Sequence, residues 1–100
     1  MEVKINSVHF NADQKLLDFV NKKVGKLDTF FEGIINVEVI LKVDKPEAAN
    51  NKISELKVSI PSSGYLFAKK QADTFEEATD LAIDAVRKQL DKLKDKLKNK

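Results

Sequence analysis

From Thr74 to Lys98 the chain runs without a Gly or a Pro, and this stretch sets the terms for everything before it. Thr74 with Glu77 forms a capping box, the hydroxyl taking the Glu77 amide while the carboxylate returns to the Thr74 amide. Asp73 with Glu76 offers the same device one residue earlier. At roughly 100° per residue, Phe75, Ala78, Ala82, Val86, Leu90, Leu93 and Leu97 fall on one narrow apolar stripe. Lys88, Lys92 and Lys96 run along the far side, with Arg87, Lys94 and Lys98 as a second basic row. Asp84, Asp91 and Asp95 lie between the rows and can pair with either. At about 1.5 Å per residue, such a helix outruns a compact domain of 100 residues. Its Lys-rich last turns are expected to overhang the body.

The rest of the chain must therefore supply one base for that helix. With 100 residues and 42% hydrophobic content there is enough for a single core, so residues 1–100 form one domain. Net charge is only +2, but it is unevenly placed. Residues 81–100 carry seven Lys or Arg against three Asp, a net of +4, whereas residues 1–80 carry a net of −2. This asymmetry points to a polyanionic partner for the last helix. A Lys-rich solvated helix face is the competing explanation on charge alone. The chain has no Cys, so it has no disulfide framework or thiolate metal site, and a reducing, cytoplasmic setting is expected. Its first residues lack the layout of a signal peptide, and no apolar run reaches membrane-spanning length.

Glu2 to Asn6 alternates strictly, giving a first strand with Val3 and Ile5 buried. A first helix follows, capped by Asp13 or Asn11, with Leu16, Leu17, Val20, Val24 and Leu27 on one face. Lys15, Lys22 and Lys26 lie opposite, with Lys23 nearer the apolar edge. Phe19 projects among these lysines, suited to stacking on a base or, more plainly, to being half covered by Lys stems. Gly25 and the region from Thr29 to Gly33 end the helix. Ile34 to Val43 is the strongest strand, with Val37, Val39, Leu41 and Val43 on one side. Lys52 to Ile60 and Tyr65 to Gln71 are two more, joined by the turn Pro61-Ser62-Ser63-Gly64. The order β-α-β-β-β-α gives an α+β two-layer sandwich, a four-stranded sheet with both helices on one face. Strand two, with the fullest apolar face, is expected inside the sheet. Side by side, the helices would present Lys15, Lys22, Lys23 and Lys26 next to Lys88, Lys92 and Lys96.

Little here suggests catalysis. His9 is the lone histidine and has no nucleophile or co-ligand near it in sequence; an ordinary, partly buried His is expected. The three glycines are isolated, so no phosphate loop forms. No enzyme activity, cofactor, metal or small-molecule substrate is expected. Lysines at helical spacing suit phosphate contact, and a structured RNA read by shape and backbone fits them better than sequence-specific readout.

The chain also resembles the short form of the ribosome hibernation-promoting factor and ribosome-associated inhibitor family. The likeness is carried by Phe19-Val20-Asn21-Lys22-Lys23-Val24-Gly25-Lys26-Leu27 and by Val37 to Val43. It continues in Ile83 to Lys92 and in Lys94-Asp95-Lys96-Leu97-Lys98. The resemblance implies a translation-silencing factor seated on small-subunit rRNA, in the channel of the A and P sites. Lys23, Lys26, Lys88 and Lys92 match family basic positions, and Lys22, Arg87 and Lys96 complete the candidate rRNA-binding set. Ala85 and Thr29 stand where relatives often carry basic residues, so a thinner footprint is expected. The segment from Asp73 to Ala78 departs from the family pattern and carries one extra residue. Nothing follows Lys100 to act as the long-form dimerising domain, so this chain alone is not expected to pair ribosomes, and a separate small factor is the candidate partner for pairing. Two other classes remain: a general double-stranded-RNA module, and a protein-interaction module using the open sheet face with Ile40, Tyr65 and Phe67. The acidic Asp73, Glu76 and Glu77 count against the first, which would open its last helix on a Lys-rich loop.

Overall fold

Alternation builds the sheet. In the computed structural model, which describes residues 1–61 and 64–98, the strands are β1 (Glu2–Val8), β2 (Asn36–Val43), β3 (Lys52–Ile60) and β4 (Gly64–Ala72). They lie in the order β1-β2-β3-β4, with β1 parallel to β2 and the other neighbours antiparallel. Strand β2 is thus interior, as its apolar face requires. Val37, Val39 and Leu41 are fully buried, and in register with them on β3 lie Val58, Leu56 and Ser54. Ser62 and Ser63 of the expected turn, and the side chains of Leu97 and Lys98, lie outside the described residues.

Three helices cover one face: α1 (Gln14–Gly25), α2 (Leu27–Phe30) and α3 (Phe75–Lys98). Leu16, Val20 and Val24 of α1 and Phe75, Ala82, Val86 and Leu90 of α3 join the inward strand residues in one core cluster. Full burial of Leu90 stabilises by about 1.5–3 kcal/mol relative to exposure. The buried stripe of α3 is wider than the sequence suggests, because Thr79 and Ile83 are buried as well. Leu17 stays outside the core cluster.

The caps decide where the helices start. The Asp13 carboxylate accepts the Leu16 amide at 2.8 Å, and the Thr74 hydroxyl accepts the Glu77 amide at 3.1 Å. Asp73 is engaged elsewhere: its carboxylate takes the Asn50 amide at 2.8 Å, tying the β2–β3 loop to the start of α3. Between β1 and α1, His9 is exposed, not partly buried, and holds a φ of 68°, a conformation His adopts more readily than most residues. The turn seats Phe10, whose ring stacks on Phe75 at 4.5 Å and 12°. Among the described residues, no helix is long and apolar enough to cross a membrane.

The first helix ends at the earlier of the two places the sequence offers. It stops at Gly25, and Lys26 serves both as its C-cap and as the residue before α2. Leu27 resumes the apolar spacing three residues after Val24 and is almost fully buried, so the periodicity runs through the break. The overhang of α3 begins later than expected. Leu93 still packs on the core, and the Lys94 ammonium donates to the Phe30 carbonyl of α2. The molecule is elongated all the same, at 50 × 22 × 18 Å.

Candidate nucleic-acid interface

The break after Gly25 makes room for a cleft. It opens between the end of α1, α2 and the facing side of α3, with a volume of about 650 Å³. Three of the candidate basic residues, Lys23, Lys26 and Arg87, line it together. Leu27 and Ile83 form its apolar floor, with Phe30 and Thr29 on the α2 side. Asp80 and Asp84 complete the lining from α3.

One of these cations, Arg87, is held in place by the Phe30 ring, together with the neighbouring Lys94. The Arg87 guanidinium carbon lies 4.6 Å from the Phe30 ring centroid, and the Lys94 nitrogen lies 4.1 Å from it. Such contacts fix long side chains that would otherwise sample many rotamers, and add roughly 0.5–1 kcal/mol each at exposed sites. Lys23 lies over Phe19 at 5.6 Å, and Phe19 is itself half-buried against the core. Phe19 thus has the plainer of its two readings, an aromatic packed under lysine stems.

Lys22, Lys88, Lys92 and Lys96 are exposed and do not line the cleft. Two contacts fix how α3 is turned. Arg87 faces the cleft, while Gln89 donates to the Phe67 carbonyl on β4 at 3.0 Å. Lys88 lies between them, about 100° from each, and therefore faces solvent. Lys92 and Lys96 each turn about 40° further, toward the β4 flank. The basic surface thus starts in the cleft, passes over the back of α3 and drifts away from α1.

The opposite face of the sheet has a different character. Lys4, Glu38 and Lys57 lie in register across β1, β2 and β3, and Glu55 lies opposite Lys69. Unlike charges therefore alternate and largely cancel. Tyr65 and Phe67 on edge strand β4 are 59% and 48% exposed, with the Lys57 ammonium 4.5 Å from the Tyr65 ring. Among the described residues, no group of three His, Cys, Asp or Glu is placed to hold a metal ion.

Comparisons with known proteins agree with one another. A family model described as Sigma 54 modulation protein / S30EA ribosomal protein matches residues 3–98. A ribosome hibernation promoting factor from Pseudomonas putida is 33% identical over 96% of this chain and 89% of its own length. One from Escherichia coli K12 is 33% identical over 98% of both chains. Among solved structures, a ribosomal subunit interface protein from Coxiella burnetii superposes with a TM-score of 0.83 at 22% identity, covering 94% of this chain and 98% of its own. The N-terminal domain of Thermus thermophilus Protein Y gives 0.73 at 22% identity, with 92% and 94% covered, and these two speak to the fold. With its β-α-β-β-β-α sandwich and a match from Val3 to Lys98, this chain belongs to the S30EA ribosomal protein family that includes the ribosome hibernation promoting factors.

Proposed function

We propose that the protein binds the small ribosomal subunit through rRNA phosphates on its two-helix face, occupies the A- and P-site channel and silences idle ribosomes. The convergence of Lys23, Lys26 and Arg87 on one cleft supports this reading, in a chain whose relatives are ribosome hibernation promoting factors. Lys22, Lys88, Lys92 and Lys96 extend the footprint over the exposed backs of the helices. Each ammonium or guanidinium that meets a phosphate releases counterions, so affinity comes from many weak contacts on a rigid base. On this reading the protein acts in the cytoplasm and stoichiometrically, with no chemical step of its own. The open sheet face is the weaker candidate because its charges are already paired in register.

The test is co-sedimentation with isolated small subunits across a salt series, with circular dichroism to check the fold. Reversing Lys23, Lys26, Lys88 and Lys92 to Glu should leave the fold intact, since none is in the buried core, and should abolish binding. A folded quadruple variant that binds like the parent would sink the helical footprint and make the Tyr65–Phe67 face the leading surface. Titrated against ribosomes, the protein should lower translation in proportion to its occupancy. Complete arrest far below one copy per ribosome would instead indicate turnover.

A further inference from the structure

We infer that the cleft between α1–α2 and α3 is a pocket for one unpaired nucleotide of the bound RNA, with guanine as the base it takes. The inference rests on the rRNA-binding reading and goes further, to the part of the RNA that this one site holds.

Carboxylates repel backbone phosphates, and on a surface meant only for phosphates their use is limited to pairing with neighbouring basic side chains. Yet Asp80 and Asp84 line the cleft beside Lys23, Lys26 and Arg87. Favourable interaction with the helix dipole accounts for acidic residues in the first turn, here Glu76 and Glu77, and fades beyond it. Asp84 lies nine positions after Phe75, the first residue of α3, well past that range. What the mixture fits is a ligand that carries a negative charge at one end and hydrogen-bond donors at the other. A nucleotide is such a ligand.

Size and surface agree. About 650 Å³ falls within the usual range of small-molecule pockets, roughly 300–1,000 Å³. Leu27, 1% exposed, and Ile83, 9% exposed, give an apolar floor. The Arg87 guanidinium, already steadied over the Phe30 ring, offers a planar cation on which an unstacked base can lie. The exposed Lys26, and Lys23 from its place over the Phe19 ring, can then meet the phosphate at the end of α1. The Thr29 hydroxyl donates to the Lys26 carbonyl at 2.8 Å, which fastens the α1–α2 junction beneath them.

The carboxylates select the base. Guanine presents N1–H and N2–H₂ side by side, two donors that one carboxylate can accept together. Cytosine and adenine place a ring-nitrogen acceptor beside the amino group, where a carboxylate oxygen would be repelled. Uracil flanks its one N–H with two carbonyls. Paired RNA hides the same edge, so the base must be bulged, looped or everted to enter.

The probe is a short RNA hairpin with one bulged guanosine, compared with the same hairpin carrying a bulged uridine, by fluorescence anisotropy at fixed salt. The guanosine hairpin should bind at least about fivefold tighter, the lower end of what a bidentate base contact discriminates. In the double variant Asp80→Asn, Asp84→Asn that ratio should fall to near one, because Asn offers one acceptor where Asp offers two. Affinity for the uridine hairpin should hold or rise, since two negative charges have gone, while the guanosine hairpin loses its advantage and comes to the same level. Both residues are exposed, so the variant should fold. Equal affinity for the two hairpins, or no binding to either while small subunits still bind, overturns the pocket and leaves the helical footprint standing. A guanosine preference that survives in the variant also overturns it, because the base is then read elsewhere. A preference without small-subunit binding would keep the pocket and sink the reading on which it rests.

Discussion

Thr79 on α3 donates its hydroxyl proton to the Ser54 oxygen on β3 at 3.1 Å, and both residues are fully buried. This bond fastens the long helix to the sheet inside a core that is otherwise apolar. Neither hydroxyl has water to fall back on, so if its partner is lost only a backbone carbonyl nearby can replace it.

Removing either partner should cost about 1–3 kcal/mol in urea unfolding, the desolvation penalty of the hydroxyl left alone. Ser54→Ala should be the milder change, because Thr79 can turn to the Phe75 carbonyl one turn back. The double variant Ser54→Ala, Thr79→Val should lose clearly less than the sum of the two single changes. Strictly additive losses would mean that the two side chains contribute independently.

Thr74→Ala should cost about 1 kcal/mol by removing the cap of α3. Small-subunit affinity should stay nearly unchanged, because Thr74 belongs to none of the cleft's lining and carries no charge. Asp73→Ala acts on a different element, loosening the β2–β3 loop by freeing the Asn50 amide. The two losses should therefore add. An unaltered melting temperature in Thr74→Ala would overturn the cap.

The sheet was legible because alternation is a local signal: Val37, Val39 and Leu41 could be placed from their spacing alone, and all three are fully buried. Thr74 and Asp73 could not be separated that way. Each has an acidic residue three positions on, and what occupies Asp73 is an amide 23 residues away. Gly25 marked an end of the first helix, but the short helix that follows at once was hidden, since Leu27 follows Val24 at a helical interval and the apolar pattern never lapses. The cleft was the least legible feature. Its lining comes from α1, α2 and α3, and Asp80, Asp84 and Phe30 have no shared spacing that marks them as neighbours. The signal that could have found Phe30 is its place beside Phe31 just past the first helix: Phe31 is buried, and Phe30 packs at the edge of the core with part of its surface open.

Lys94 separates a lysine's presence from its availability. In sequence it is one more member of a basic row, like Lys26. In the fold its ammonium donates to the Phe30 carbonyl and lies over the Phe30 ring, so it is already partnered and only partly exposed. Lys26 is exposed at the mouth of the cleft. Lys26→Gln should therefore lower the slope of log affinity for small subunits against log salt by somewhat under 1, the loss of one phosphate contact. Lys94→Gln should leave that slope unchanged and instead lower the melting temperature, since it frees α2 from α3. Co-sedimentation at several salt concentrations measures the first effect, and thermal unfolding measures the second. Equal slope changes for the two substitutions would mean that Lys94 leaves Phe30 to reach the RNA, and that the α2–α3 contact opens on binding.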